Sequence, residues 1–406
     1  MIRATRFFVS GKVSEARVEP GAVRVVVLSQ FVTAFSWTYV YVFLPFYIQQ
    51  ISPYDRETTL LWIGWILGIT GAASTVFAPI WGWMAARISP KRLYEAGMLS
   101  QAAIMALMAT TDSLPVLLLL RFLIGCIGGL STTGLIIISA SSARETLTGN
   151  VGLLQAALTS GQIVGPIAGA ISAELLGYRV TFVVGSLLIL VAFANVRLFL
   201  DPIPTFRPQV SHRRPWYTGL IPGWLLCFAA TIQIVFLPSV LPEILAGLRV
   251  AQAHAIRVAG LIVFAYGATA VLGSYWLSRL AGRKGRRVTL IWAACGASAL
   301  QVLLGASESV ASFGLIRMLQ VGLVAGVVPV VFAEVATSAH GAAIGFMNTS
   351  RFAANAVGPL IATVAFAHAS PPTLYLGLSA FTLVCLLLFM RAPATVDSFT
   401  SPSKIA

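Results

Sequence analysis

Long apolar runs, interrupted at regular intervals by short polar stretches, are the first pattern the chain shows. Twelve runs have about the 20 residues needed to cross a bilayer: 22–48, 60–85, 93–111, 114–139, 150–173, 179–200, 217–241, 255–279, 288–306, 312–336, 341–367 and 372–390. Each predicts a membrane-spanning helix, because a lipid-facing span has to satisfy its own backbone hydrogen bonds. Most connections are only a few residues long, so nearly all of the chain is expected inside the membrane. The first twenty residues carry Arg3, Arg6, Lys12 and Arg17 but lack the apolar stretch and small-residue cleavage site of a secretory signal. They predict a cytoplasmic tail.

The runs repeat. Val42-Phe43-Leu44-Pro45 recurs 193 positions later as Val235-Phe236-Leu237-Pro238. Gly152 and Gly165-Pro166 recur at the same spacing as Gly345 and Gly358-Pro359, with Gln155 mapping onto Asn348 and Gln162 onto Asn355. The basic loops at Arg87 and Arg279 lie 192 apart, and Arg121 and Arg317, both inside spans, lie 196 apart. The expected fold class is therefore an all-α membrane protein of twelve transmembrane helices in two pseudo-symmetric six-helix bundles, 1–200 and 217–391. A linker at 201–216, rich in proline and basic residues, joins them, and a tail at 392–406 follows. Two halves of one topology are the architecture of secondary transporters, in which substrate binds near the midplane between the halves.

Composition fits that picture. Hydrophobic residues make up 58% of the chain and charged residues 10%, against about 25% charged in a soluble domain. There is too little polar surface to coat a globule, which excludes a soluble enzyme. The net charge of +14 would point to nucleic acid in a soluble protein. Here twenty of the 27 basic residues fall on the side of the two termini, four on the opposite side, and three (Arg121, Arg317 and Arg351) within spans. That bias is the positive-inside signature. It places both termini in the cytoplasm, with the chain multi-pass in the inner membrane, and nucleic acid drops out as a partner. Cys126, Cys227, Cys295 and Cys385 sit in apolar runs without metal-ligand spacing, and the four histidines form no zinc-type pair. No phosphate loop, catalytic triad or cofactor motif occurs, so no enzyme activity and no cofactor are expected, and a monomer suffices.

Three stretches carry finer information. Between the second and third runs the chain reads Gly82-Trp83-Met84-Ala85-Ala86-Arg87-Ile88-Ser89-Pro90-Lys91-Arg92, echoed in the second half around Arg279, Gly282 and Arg283. Gly152, Gly161, Gly165-Pro166 and Gly169 fit G-x8-G-x3-G-P-x2-G, and Arg121 with Gly125 and Gly128 fits R-x3-G-x2-G. These stretches resemble the signature motifs of the major facilitator superfamily, and the resemblance covers essentially the whole chain. The fifth-helix motif is most similar to that of the twelve-helix drug:proton antiporters. Small residues at that spacing let backbones approach, and Pro166 bends the helix. The resemblance implies that Arg87, Arg92 and Arg279 latch the halves on the cytoplasmic side. In both halves the family's acid is missing, Ala86 standing in its place in the first, so anchoring to anionic lipid headgroups is an equal alternative. It also implies a role for Arg121 in proton transfer or substrate binding; the alternative is snorkelling toward Asp112. Arg317 is expected to snorkel.

The residues themselves point to a binding cavity. Arg351 lies about 15 Å from the start of its span, and Asn348, Arg351 and Asn355 share one helical stripe. A charge at that depth is costly and marks function by default, although a helix–helix seam would also use such a stripe. Gln155 and Gln162 are the counterparts in the first half, Trp37 and Tyr41 form a stripe with Thr33 and Leu44 on the first helix, and Gln233 adds a polar group on the seventh. Acids are scarce: only Glu95 and Glu334 fall inside spans, near their ends, and Glu334 could pair with Arg351, carry a proton, or be structural. The expected function is a secondary transporter that exports a small amphipathic or anionic compound by alternating access with proton antiport. The rivals are uptake or facilitated release without proton coupling, and a non-transporting receptor.

Overall fold

The computed structural model describes residues 20–85, 87–143, 146–202, 220–336 and 341–392. The expected N-terminal tail, most of the linker and nearly all of the C-terminal tail lie outside the described residues.

The described chain is helical. The first bundle holds α1 (Pro20–Tyr39), α2 (Leu44–Ile51), α3 (Arg56–Ala85), α4 (Pro90–Met108), α5 (Leu114–Cys126), α6 (Leu130–Ser141), α7 (Leu147–Leu176) and α8 (Tyr178–Phe199). The second holds α9 (Ile221–Val235), α10 (Leu237–Gly247), α11 (Gln252–Lys284), α12 (Arg286–Leu303), α13 (Val310–Val324), α14 (Val327–Ala336), α15 (Gly341–His368) and α16 (Pro371–Arg391). Proline in the first two positions starts α2, α4, α5, α9, α10 and α16, where its missing N–H leaves no bond unmade and its fixed φ suits the helix.

Ten helices or unbroken pairs are long and apolar enough to cross a membrane, and α9 with α10, bent by 41°, makes an eleventh. The remaining place is taken by α4, 19 residues that carry Lys91, Arg92 and Glu95 in their first turns and pack against α5, α6 and α8. Four of the twelve predicted runs are each two helices. The breaks fall at residues 40–43, 127–129, 236 and 325–326, matching positions in the two halves. Helices broken at membrane depth expose backbone polar groups, which survive only where protein or a water-lined cavity satisfies them.

The alternation of helices puts the loops around Arg87 and Gly285 on one face, here the basic face, and those around Asp112, Gly177 and Ser370 on the far face. The halves meet through α3 against α15 and α7 against α11. A Cβ added at Gly71 would lie 2.6 Å from the Ala356 nitrogen, and the space beside Gly64 and Gly68 is filled by Thr363, Leu360 and Ala356. Gly260 of α11 is covered by Ala170, Ile167 and Pro166 of α7. Small residues let these backbones approach, and these contacts run from the middle of the helices toward their far ends.

Candidate functional site

Closure of the far side continues in ion pairs between the halves. Glu243 on α10 takes Arg56 (2.7 Å) and Gln49 (3.0 Å) from the first half. Glu174, near the end of α7, holds Arg257 of α11 through two bonds of 2.8 and 2.7 Å. Glu57 faces His368 at 3.0 Å. Midway down, the Tyr41 hydroxyl donates to the Val235 carbonyl at 3.4 Å, joining the first-half break to its counterpart. Toward the basic face these helices are uncovered: Gly149 and Gly152 on α7 and Gly282 on α11 have no neighbour within 4 Å, and Trp83, Tyr275 and Trp276 are exposed. The space between the halves is thus a cleft closed at the far face and open at the basic face.

Helical geometry, at about 100° per residue, shows which side chains line it. On α7, Gly161, Gly165 and Gly169 face α1, while Pro166, Ile167 and Ala170 face α11. Gln155 and Gln162 fall in the sector between those faces and are exposed. On α15, Asn355, Ala356, Leu360 and Thr363 touch α3 and Gly358 touches α9. Arg351 and Asn348 fall between these faces; Arg351 is exposed and Asn348 half-buried. Asn355 straddles the cleft and the α3 seam, its side-chain amide donating to the Arg351 carbonyl at 2.8 Å. Trp37 and Tyr41 on α1 are half-buried. The sector between these faces thus brings together Gln162, Asn348, Arg351 and Asn355, with Tyr41 reaching across to Val235.

Arg121 is nearly buried, at 2% exposure. Among the described residues its guanidinium makes one hydrogen bond, a long one of 3.4 Å from Nε to the Ile66 carbonyl. It does not snorkel to Asp112, whose carboxylate is taken by Arg179 and, at 3.1 Å, by the Tyr47 hydroxyl. Those two bonds hold the Asp112 carboxyl below the usual aspartate range.

Arg317 does not snorkel either; it is fully buried. Pro238 lacks the N–H that would have reached the Ile234 carbonyl, and the chain breaks at Phe236. The Arg317 guanidinium takes the freed carbonyls of Gln233 (2.8 Å) and Ile234 (2.9 Å) and also donates to Gln320 (2.8 Å). Gln320 donates on to Gln233 (2.7 Å), and Gln233 to Thr382 (2.6 Å), while the rings of Phe236 and Tyr266 flank the guanidinium at 4.9 Å. Gln233 is thus spent inside the second bundle, away from the cleft, which corrects its expected place in the binding site.

At the basic face, Glu334 lines a 540 Å³ pocket with Arg286 and Arg287 at the α11–α12 turn. Arg87 lies over the Trp83 ring at 3.7 Å and Arg279 over Tyr275 at 4.8 Å, each within its own half. Gly82 lies near the basic end of α3, and Arg92 is exposed. It is Lys91 that is buried, donating to the carbonyls of Arg197 (3.2 Å) and Leu200 beside Glu95 (3.6 Å).

A profile of the Major Facilitator Superfamily matches residues 26–251, more than half of the chain. The chain belongs to the major facilitator superfamily. Its relatives include multidrug resistance protein MdtG of Escherichia coli, 27% identical over 300 residues that span 72% of this chain and 74% of MdtG. Among solved structures, the nucleoside transporter NupG superposes with a TM-score of 0.71 at 14% identity, covering 93% of this chain and 99% of NupG. A bacterial homologue of the human lysosomal transporter Spinster gives 0.70 at 13% identity, covering 93% and 96%. These structural likenesses show the fold. As a superfamily member the chain is a multi-pass membrane transporter of small molecules and not an enzyme.

The superfamily's glycine motif on α7 behaves in two ways here. Gly161, Gly165 and Gly169 pack against Phe31, Phe35, Thr38 and Tyr39 of α1 so closely that a Cβ has no room. Gly152 is uncovered, so it takes no part in packing with the basic side open. Gly358 packs near the α9 break, where a Cβ would lie 2.8 Å from Val235, and Pro359 follows it within α15. The far-side pairs, the Gly64, Gly68 and Gly71 seam, and the Gln320–Thr382 extension were not read from sequence. A glycine every three or four residues in the second run was the one available signal; the ion pairs join residues 187, 83 and some 310 positions apart, and nothing local announces them.

Proposed function

We propose that this transporter exports small amphipathic compounds, anions included, from the cytoplasm across the inner membrane by alternating access, in exchange for protons. The observation that carries this reading is the cleft itself, open at the basic face, closed at the far face, and lined by aromatic and polar side chains. The positive-inside bias makes the basic face cytoplasmic and puts both termini there. The likeness to MdtG, a multidrug resistance protein, and the α7 glycine–proline motif favour export over uptake. Export then begins with entry from the cytoplasm, and the halves rock about the α3–α15 and α7–α11 seams to open the far side.

Among the described residues no carboxylate lies in the cleft. The groups that alternate between paired and open as the far side moves are Glu57, Glu174, Glu243 and His368. These pairs have to part before the far side can open, so these acids sit where the conformational change takes place. Reconstituted vesicles test the exchange. Dye efflux accelerated by an opposing proton gradient is the expected result. Flux that ignores pH would turn the reading to facilitated release without proton coupling, and ligand binding without flux would turn it to a receptor. A cysteine placed at Gln162 should react with a membrane-impermeant maleimide from the cytoplasmic side in the resting protein.

A further inference from the structure

We propose that the compound carried is an organic anion and that Arg351 sets the sign of charge the cleft accepts. The inference rests on the exporter reading only for the direction of movement. Its ground is an imbalance of charge. Arg351 is exposed on the cleft sector of α15, about 15 Å from that helix's basic end, and no described carboxylate pairs with it. Arg121 lies about 10 Å from the far end of α5 with most of its five donors unspent among the described residues. The remaining cleft groups, Trp37, Tyr41, Gln162 and Asn348, are neutral.

Every described acid sits at one end of the molecule or the other. Glu57, Glu174 and Glu243 are held across the far side, Glu95 lies between Lys91 and Arg197, and Glu334 stands in the pocket with Arg286 and Arg287. A cleft of one sign with low-dielectric walls concentrates the opposite charge and repels its own. An anion entering from the basic face meets Arg351 first; Arg121, buried at 2% exposure, lies deeper, toward the far closure. The aromatic pair on α1 suits the apolar body of an amphipathic anion. A negative cytoplasm assists the outward step of an anion.

The test uses the full chain in detergent and in proteoliposomes with two dansyl probes that differ only in a terminal sulfonate or trimethylammonium group. The sulfonate should bind and move at least about tenfold better than the cation. Arg351→Lys should keep that preference, Arg351→Gln should flatten it, and Arg351→Glu should reverse it, with thermal midpoints close to the parent's. Equal handling of the two probes, preference for the cation, binding of neither, or an anion preference that survives Arg351→Glu would overturn the inference. Sulfonate binding lost on Arg351→Glu, without outward flux, would keep the charge assignment and remove the exporter reading instead.

Discussion

The two halves staple the same helices in the same way. Thr70 and Ser74 of α3 donate to the carbonyls of Arg121 and Gly125 (3.1 and 3.2 Å), and Thr269 and Ser274 of α11 donate to those of Met318 and Ala325 (2.8 and 3.0 Å). Within this repeated frame the two arginines are wired differently. Arg317 spends its fork on two carbonyls and a glutamine between two rings, whereas Arg121 has, among the described residues, one long bond to Ile66. A buried guanidinium whose two terminal nitrogens are held by carbonyls and a glutamine repairs a broken helix; one left nearly unengaged among the described residues can serve a ligand. Under the proposed function, duplication kept the scaffold and divided the labour between structure and transport.

The difference can be broken from either side. Arg317→Ala should have the largest effect, because it strands the carbonyls of Gln233 and Ile234 and the amide of Gln320 in a dry core. Losing one partner of a buried charged network costs about 3–5 kcal/mol, so little folded protein should survive fluorescence-detected size exclusion. Arg121→Gln should abolish flux while moving stability by about 1 kcal/mol or less, since it removes one long hydrogen bond; melting curves and vesicle flux on one preparation check both.

Smaller effects sharpen the picture of the closed and open ends. Gly169→Ala drives a Cβ into the Tyr39 carbonyl and should cost about 1–3 kcal/mol by overpacking. Gly152→Ala meets nothing and should stabilise α7 by up to about 0.5–1 kcal/mol. If its transport slows nonetheless, Gly152 serves the state in which the basic ends close. The smallest effect belongs to Asp112→Asn, near the limit of a thermal-shift measurement for so exposed a pair. Because the Asp112 carboxyl is depressed in the folded chain, its contribution is present above the unfolded aspartate value, near pH 4, and is lost as pH falls through the lower folded value. The Asn variant should lack that acid-side loss.

Much of this was legible in the sequence. Apolar run length placed the spans, and the recurrence of Val42-Phe43-Leu44-Pro45 revealed the duplication. That Asn348 and Arg351 share a face was legible because helical period alone fixes it. Depth and partners were not legible. Arg317 and Arg121 look alike in sequence, and only the break at Phe236, brought opposite Arg317 by packing, separates them. Gln233 was misplaced for the same reason: a polar residue midway along a span announces a need for partners, but not whether they are a ligand or Gln320 and Thr382. The far-side pairs link residues with no sequence relation, so charge counting saw them only as acids near helix ends.

The most direct test of the division of labour is the pair of lysine substitutions, with melting temperature and flux per folded molecule measured together. Lysine keeps the charge but cannot reproduce a planar fork. Arg317→Lys should melt well below the parent yet transport normally per folded molecule, and Arg121→Lys should melt with the parent and keep part of its flux. An Arg317→Lys protein that is fully stable but inactive, or an Arg121→Lys protein that is unstable with normal flux, would contradict it.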